Sequence, residues 1–203
     1  MINAGDTAFI LVSAALVLLM TPGLALFYAG MVRSKNVLGT IMQSFILIAL
    51  ISIEWIYIGY TTAFGPDVGG VIGDLSMFAL AGVGTAPSPD YATTIPHIVF
   101  MVYQCMFAVI TPALITGAFA ERVRFAPFLA FSLLWAVLVY NPVCHWIWGG
   151  GWLAELGVLD FAGGLVVHLT CGAGALAAVL VIGPRKGFPS NEFMPHNLPM
   201  TLL

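Results

Sequence analysis

Charge is what this sequence has least of. Only 7% of its 203 residues are Asp, Glu, Lys or Arg, where a soluble domain carries roughly 25%. Hydrophobic residues make up 61%, and the mean hydropathy is +1.03. That scarcity excludes an ordinary soluble domain and points to an all-α chain that crosses a membrane several times. No basic tract offers a nucleic-acid surface, and no glycine-rich loop offers a phosphate cradle. The net charge of −3 says little, because in a membrane protein the placement of charge outweighs its sum. Cysteine is scarce too. Cys105, Cys144 and Cys171 are odd in number, lie mostly in apolar runs and form no CxxC pair, which argues against a disulfide framework or a zinc site. They read as small packing residues, and neither a metal nor a cofactor is called for. The N-terminus lacks the Lys/Arg that opens a signal peptide, and its apolar run is too long for an h-region, so it reads as a true span.

What is present is length of apolar run. A helix needs about 20 residues to cross a bilayer, and the pattern predicts spans over about 7–31, 38–63, 95–120, 127–140 and 161–182. Pro22 and Pro112 fall inside the first and third, where each frees a carbonyl and predicts a kink. Residues 65–95 form a longer loop rich in Gly, Pro and Asp, with a short surface helix expected over 72–80. Residues 143–159 are apolar but broken, and 198–203 read as the opening of a sixth span.

All six Lys/Arg fall in three pairs, Arg33/Lys35, Arg122/Arg124 and Arg185/Lys186, after spans one, three and five. The positive-inside rule puts those loops in the cytoplasm and the N-terminus outside. Five spans is an odd number, which an inverted repeat requires, because its copy must begin on the opposite side of the membrane. The expectation is half of a larger pore, built as one unit over 1–203.

The unusual chemistry is concentrated between Cys144 and His168. Asp160 precedes the fifth span and reads as a helix N-cap; a fixed carboxylate at a pore mouth would also favour a cation. His168, eight residues on, lies about 12 Å deeper along the helix. An ionisable side chain at that depth faces an interior or a water-filled path, either as a neutral group bonded to a neighbouring helix or as a pore-lining proton acceptor. Small residues around it (Gly163, Gly164, Cys171, Gly172, Ala173, Gly174) allow close helix packing. Trp148, beside Gly149–Gly151, is either interfacial belt, like Trp135, Trp146 and Trp152, or the floor of a vestibule whose aromatic face attracts a cation. Phe107 and Tyr103, one turn apart, offer a second aromatic face or ordinary core. Glu54 stands inside span two with no cation near in sequence. It is a protonated acid, a reach into a polar cavity, or an interface group, and the sequence does not choose.

These residues in this order resemble the ammonium transporter family (Amt/MEP, related to the Rh proteins). The resemblance runs through Thr21-Pro22-Gly23, Phe27-Tyr28-Ala29-Gly30, Arg33 to Asn36, Gly59-Tyr60, Ala63-Phe64-Gly65, Ala120-Glu121-Arg122, His145 to Gly151, Leu159 to Gly164, Val167-His168 and Pro195-His196-Asn197. It implies a fold of eleven spans, two inverted five-helix halves plus a last helix, assembled as homotrimers with a pore in each subunit. It implies ammonium/ammonia as substrate, the lipid bilayer as surroundings, a cytoplasmic regulatory protein as partner, and no enzymatic activity. An outer cation site would use Trp148 and Phe107, with Tyr103 standing where the family carries a second gate phenylalanine. Asp160 matches the acid before the fifth helix, and His168 the first of a histidine pair whose second member belongs to the other half. Glu54 departs from a position expected to be apolar. The implied function is ammonium conduction, with recruitment at the aromatic site, deprotonation and passage along His168. Alternatives are an ammonium sensor that signals through an attached domain, and a partial product that conducts nothing alone.

Overall fold

Backbone polar groups have no water to bond in a bilayer, so long apolar runs close on themselves as helices. The computed structural model describes residues 1–203, and five helices in it are long and apolar enough to cross a membrane. They are α1 (Ala4–Met31), α2 (Ser34–Phe64), α3 (His97–Phe119), α4 (Phe125–Glu155) and α5 (Gly164–Ile182). A short α6 (Leu198–Leu202), started by the Asn197 side chain accepting from Met200 N–H, packs on α1.

α3 is the centre of the bundle. In its apolar window 56% of residues are buried, against 17% in α1 and α5, and it packs on α1, α2 and α5. The outward faces of α1 and α5 carry exposed Phe9, Leu16, Leu19, Leu176, Leu180 and Val181. Such faces suit lipid or further protein, not water. α1 and α3 run on through Pro22 and Pro112. Of the glycines on α5, Gly174 is the one pressed on a neighbour, with Trp135 Nε1 2.9 Å from where a Cβ would stand; Gly172 faces open space.

Three helices contain a widened turn in which N–H groups reach back five residues: Trp55–Gly59 in α2, Ala136–Tyr140 in α4 and Gly164–Leu169 in α5. The turn in α4 corrects the span expected over 127–140. A proline ring clashes with the carbonyl four residues back in a regular helix, but the widened turn, in which Asn141 N–H bonds Ala136 O, lies just ahead of Pro142 and opens that space. The helix therefore continues through Asn141 and Pro142 to Trp148, breaks at Gly149–Gly151, and resumes for one turn at Trp152–Glu155. More than half of the stretch expected to be broken, Val143–Trp148 and Trp152–Glu155, is helix.

The two ends of the bundle differ. At one end the Lys/Arg loops gather. Arg33 Nη2 pairs with Glu121 at 2.9 Å, Arg122 Nη1 donates to Gly183 O at 3.0 Å, and the guanidiniums of Arg33 and Arg185 lie 5.0 and 5.6 Å from the Phe193 ring centre. Glu121 also accepts from Arg33 N–H and Asn36 Nδ2. Burial works to raise its pKa, but these donors and the Arg33 charge outweigh it and hold the carboxyl down at about 2. At the other end, residues 65–96 form two antiparallel hairpins, β1 (Asp67–Val68) with β2 (Ile72–Gly73), and β3 (Pro87–Ser88) with β4 (Ala92–Pro96). The helix expected over 72–80 does not form: Phe78–Leu80 is only a tight turn with Ala79 and Leu80 in the left-handed region, because the Gly69–Gly70 pair turns the chain into a hairpin first.

Candidate functional site

The site is built where α5 begins. The first N–H groups of a helix have no partner within it and carry the positive end of its dipole. Asp160 supplies the missing acceptors. Its Oδ1 accepts from Gly163 and Gly164 N–H, both at 2.8 Å, and its Oδ2 from Leu165 and Val166 N–H at 2.8 and 2.9 Å. This claw closes only because Gly163 sits at φ +82, a conformation that glycine adopts without strain. The Asp160 carbonyl in turn accepts from Trp148 Nε1 at 2.7 Å, tying the end of α4 to the start of α5.

That bond fixes the indole beside two rings of α3. Phe107 and Trp148 meet edge-on with centroids 6.0 Å apart, and Tyr103 and Phe107 likewise at 5.1 Å. The three line a cavity of about 270 Å³, open to the hairpin end, whose wall also carries Tyr91, Gln104 and Asp90. Gln104 is buried and its Oε1 has no hydrogen-bond partner. Asp160 is not on this wall, because its carboxylate is fully engaged by backbone donors. An aromatic box with a carboxylate on its wall can hold a small cation by ring-face attraction.

The floor beneath Trp148 is pinned from the hairpin side. His145 is fully buried; its Nδ1 bonds the Ala63 carbonyl at 2.9 Å, and its Nε2 lies 2.8 Å from Asp67 Oδ1. The His145 hydrogen bond, with Gly70 N–H, holds the Asp67 carboxyl below its ordinary pKa. Tyr91 OH donates to Gly149 O at 3.1 Å, and burial pushes the Tyr91 pKa up to about 12.

Residues 8–203 match the Ammonium Transporter Family. The chain belongs to that family. It is 57% identical over 199 residues to an ammonium transporter of Bacillus subtilis, covering 98% of this chain and 48% of the relative. To Ammonium transporter Amt1 of Archaeoglobus fulgidus it is 47% identical, again over 98% of this chain and 48% of that one. Among solved structures, Saccharomyces cerevisiae Mep2 superposes with a TM-score of 0.88 at 37% identity, covering 99% of this chain and 45% of that chain. A protein described as "Sensor Amt Protein" superposes at 0.89 with 31% identity, covering 97% and 50%. The chain spans about half the length of the curated relatives it matches. The five-helix architecture is thus that of the corresponding part of ammonium transporter family structures, and the chain is a multi-pass membrane protein.

Of the family residues expected from the sequence, Trp148, Phe107 and Tyr103 come together on one wall, with Asp160 bonded behind them. His168 does not join them. It lies in the widened first turns of α5, exposed, and its ring makes no hydrogen bond to the other helices, so the reading of a histidine bonded to a neighbouring helix is not realised within this chain. Sequence reasoning missed the His145–Asp67 pair, although both residues were in view as a motif member and a loop acid. It also missed Asp90, Tyr91 and Gln104. Their signal was weak, since a loop acid and a mid-helix glutamine acquire meaning only when the fold brings them to one cavity.

Proposed function

We propose that the chain forms one half of an ammonium conduction pathway, with the aromatic cavity at the hairpin end as its cation entrance. The observation that carries the reading is the Tyr103–Phe107–Trp148 wall held by the Trp148–Asp160 bond. Ammonium gathers there on the faces of Trp148 and Phe107 and sheds water. Asp160 acts as a positioning residue: it holds the turn that holds the indole. Moving a bare cation through hydrocarbon is prohibitive, whereas ammonia is neutral, so the cation gives up its proton near the entrance and ammonia passes along His168. The open face of His168 receives a partner from outside these five helices. In this reading the hairpin end and the N-terminus are extracellular, the Lys/Arg loops are cytoplasmic and accessible to a regulatory protein, and three copies assemble, each with its own pore.

A sensor reading draws support from the likeness to the protein described as "Sensor Amt Protein". Transport is preferred because the Bacillus and Archaeoglobus relatives are both named ammonium transporters. The test is ammonium-evoked current across membranes carrying the full-length protein. Trp148→Leu removes a cation–π contact of about 0.5–2 kcal/mol, which lowers apparent ammonium affinity about 2- to 30-fold. Current and ammonium dependence equal to the parent's would return Trp148 to the interfacial belt.

A further inference from the structure

Glu54 is the one acid of the chain set deep in a span. It lies ten residues from the hairpin end of α2, about 15 Å along the helix, and is 5% exposed. Neither of the chain's basic–acidic side-chain contacts reaches it: those are Arg33–Glu121 at the cationic end and the His145–Asp67 hydrogen bond at the hairpin end. Asn141, fully buried on α4, donates from Nδ2 to Glu54 Oε1 at 2.8 Å. The two remaining atoms of the pair, Glu54 Oε2 and Asn141 Oδ1, are both buried and both without a partner. The titratable groups that face the pair are Tyr140 on α4 and Cys105 on α3, the latter bonded to Ser52 Oγ at 3.7 Å; neither brings a positive charge.

Two orphaned acceptors on adjacent groups are satisfied together by one proton. An ionised carboxylate here would be a buried charge with no counter-ion, the arrangement apolar interiors tolerate least. A neutral acid can donate from Oε2 to Asn141 Oδ1 while accepting from Nδ2, a closed pair of reciprocal hydrogen bonds. Turning the amide over sets oxygen against oxygen at the same 2.8 Å, which also calls for a proton between them. The backbone is shaped around this pair. Gly59 leaves the room it occupies, since a Cβ there would stand 2.8 and 2.9 Å from the two carboxyl oxygens. Both partners also adjoin widened turns, Trp55–Gly59 just after Glu54 and Ala136–Tyr140 just before Asn141.

We propose that Glu54 and Asn141 form a proton-binding site in the membrane interior, where a neutral acid–amide pair latches α2 to α4. The proton comes from a buffer acid in the aqueous phase and leaves its electron pair there. Loss of that proton sets a carboxylate oxygen against an amide oxygen and opens one of the two bonds.

The test is infrared spectroscopy on the full-length protein reconstituted in lipid at neutral pH, and it needs no ammonium. The parent-minus-Glu54→Gln difference is expected to show the carbonyl stretch of a protonated acid, shifted on exchange into heavy water. Carboxylate stretches in its place overturn the proposal. Asn141→Leu should retain the acid band but move it to the higher frequency of a carbonyl that has lost its N–H donor; a band unmoved by this change also overturns it. If Glu54→Gln does not fold, the parent-minus-Asn141→Leu comparison carries the test alone. Where it does fold, its melting temperature should match the parent's, because glutamine can make both reciprocal bonds without a proton; a large gain in stability would mean that the parent carried a buried charge.

Discussion

Replacing Asp160 separates its backbone role from any direct contact with a cation. Asp160→Asn keeps one acceptor oxygen, which can serve Gly163 and Gly164, but turns an amide N–H₂ towards the N–H groups of Leu165 and Val166. A hydrogen bond to a charged group contributes about 1.5–3 kcal/mol. Two lost bonds would sum to about 3–6 kcal/mol, but Leu165 is only half-buried and water replaces part of this, leaving an expected cost of about 2–4 kcal/mol in the local stability of the turn. At about 1.4 kcal/mol per factor of ten, amide exchange of Leu165 and Val166 should speed up roughly 30- to 700-fold. Hydrogen exchange read by mass spectrometry on the full-length protein in detergent resolves that range. Asp160→Ala, which strips all four acceptors, should expose the same peptide at least as much. The indole hydrogen bond ends on the carbonyl of residue 160, not its side chain, so conduction should fall through disorder of the turn, and both variants should lose it together with protection. Parent-like protection in both variants alongside lost conduction would refute the reasoning and make Asp160 a direct cation ligand.

His168→Ala should sharply alter conduction or its coupling to charge, and an ammonium-evoked current equal to the parent's would remove His168 from the path. Tyr103→Phe takes a hydroxyl from the cavity wall and should leave the fold intact while changing apparent ammonium affinity by a few-fold, read from the concentration dependence of current. Asp67→Asn exchanges the partner of His145 for a neutral one and should increase exchange at Gly70 and Trp152, whose N–H groups depend on that hairpin. The Glu121 carboxyl is held at about 2 against an ordinary 4.5. A depressed carboxyl stabilises the fold above its unfolded value, and that contribution is lost as pH falls from about 4.5 through about 2. Graded acidification should therefore loosen the Arg33–Asn36–Glu121 junction in that window, read as protease cleavage in the loops it joins, and Glu121→Gln should show the loosened pattern already at neutral pH.

The spans were legible because a bilayer leaves so few options that an apolar run of the right length is nearly a structure in itself. The end of the fourth was not. Asn141-Pro142 reads as a stop, and only the widened turn ahead of it shows how the helix absorbs a proline. The hairpins of residues 65–96 were hidden because three of their four strands are two residues long and carry no periodicity. In the site, the spacing of Tyr103 and Phe107 placed them on one helix face, and position alone gave Asp160 its capping role. The bond from Trp148 to the carbonyl of Asp160 joins residues twelve apart across a break in the helix, and no local pattern encodes it. Glu54 was visible as an anomaly, but its partner Asn141 is 87 residues away.

In the proposed pathway the Trp148–Asp160 bond also bears on how fast a cation is captured. An indole free to swing among rotamers would have to be frozen at each encounter, at a cost of about 0.5–1.5 kcal/mol for an immobilised side chain. Here that ordering is complete when the chain has folded, because the ring is bonded at its nitrogen and flanked by Phe107. The entrance is therefore a rigid receptor. On the proposed function, arrival would be limited by diffusion and dehydration of the ion, and not by rearrangement of the protein.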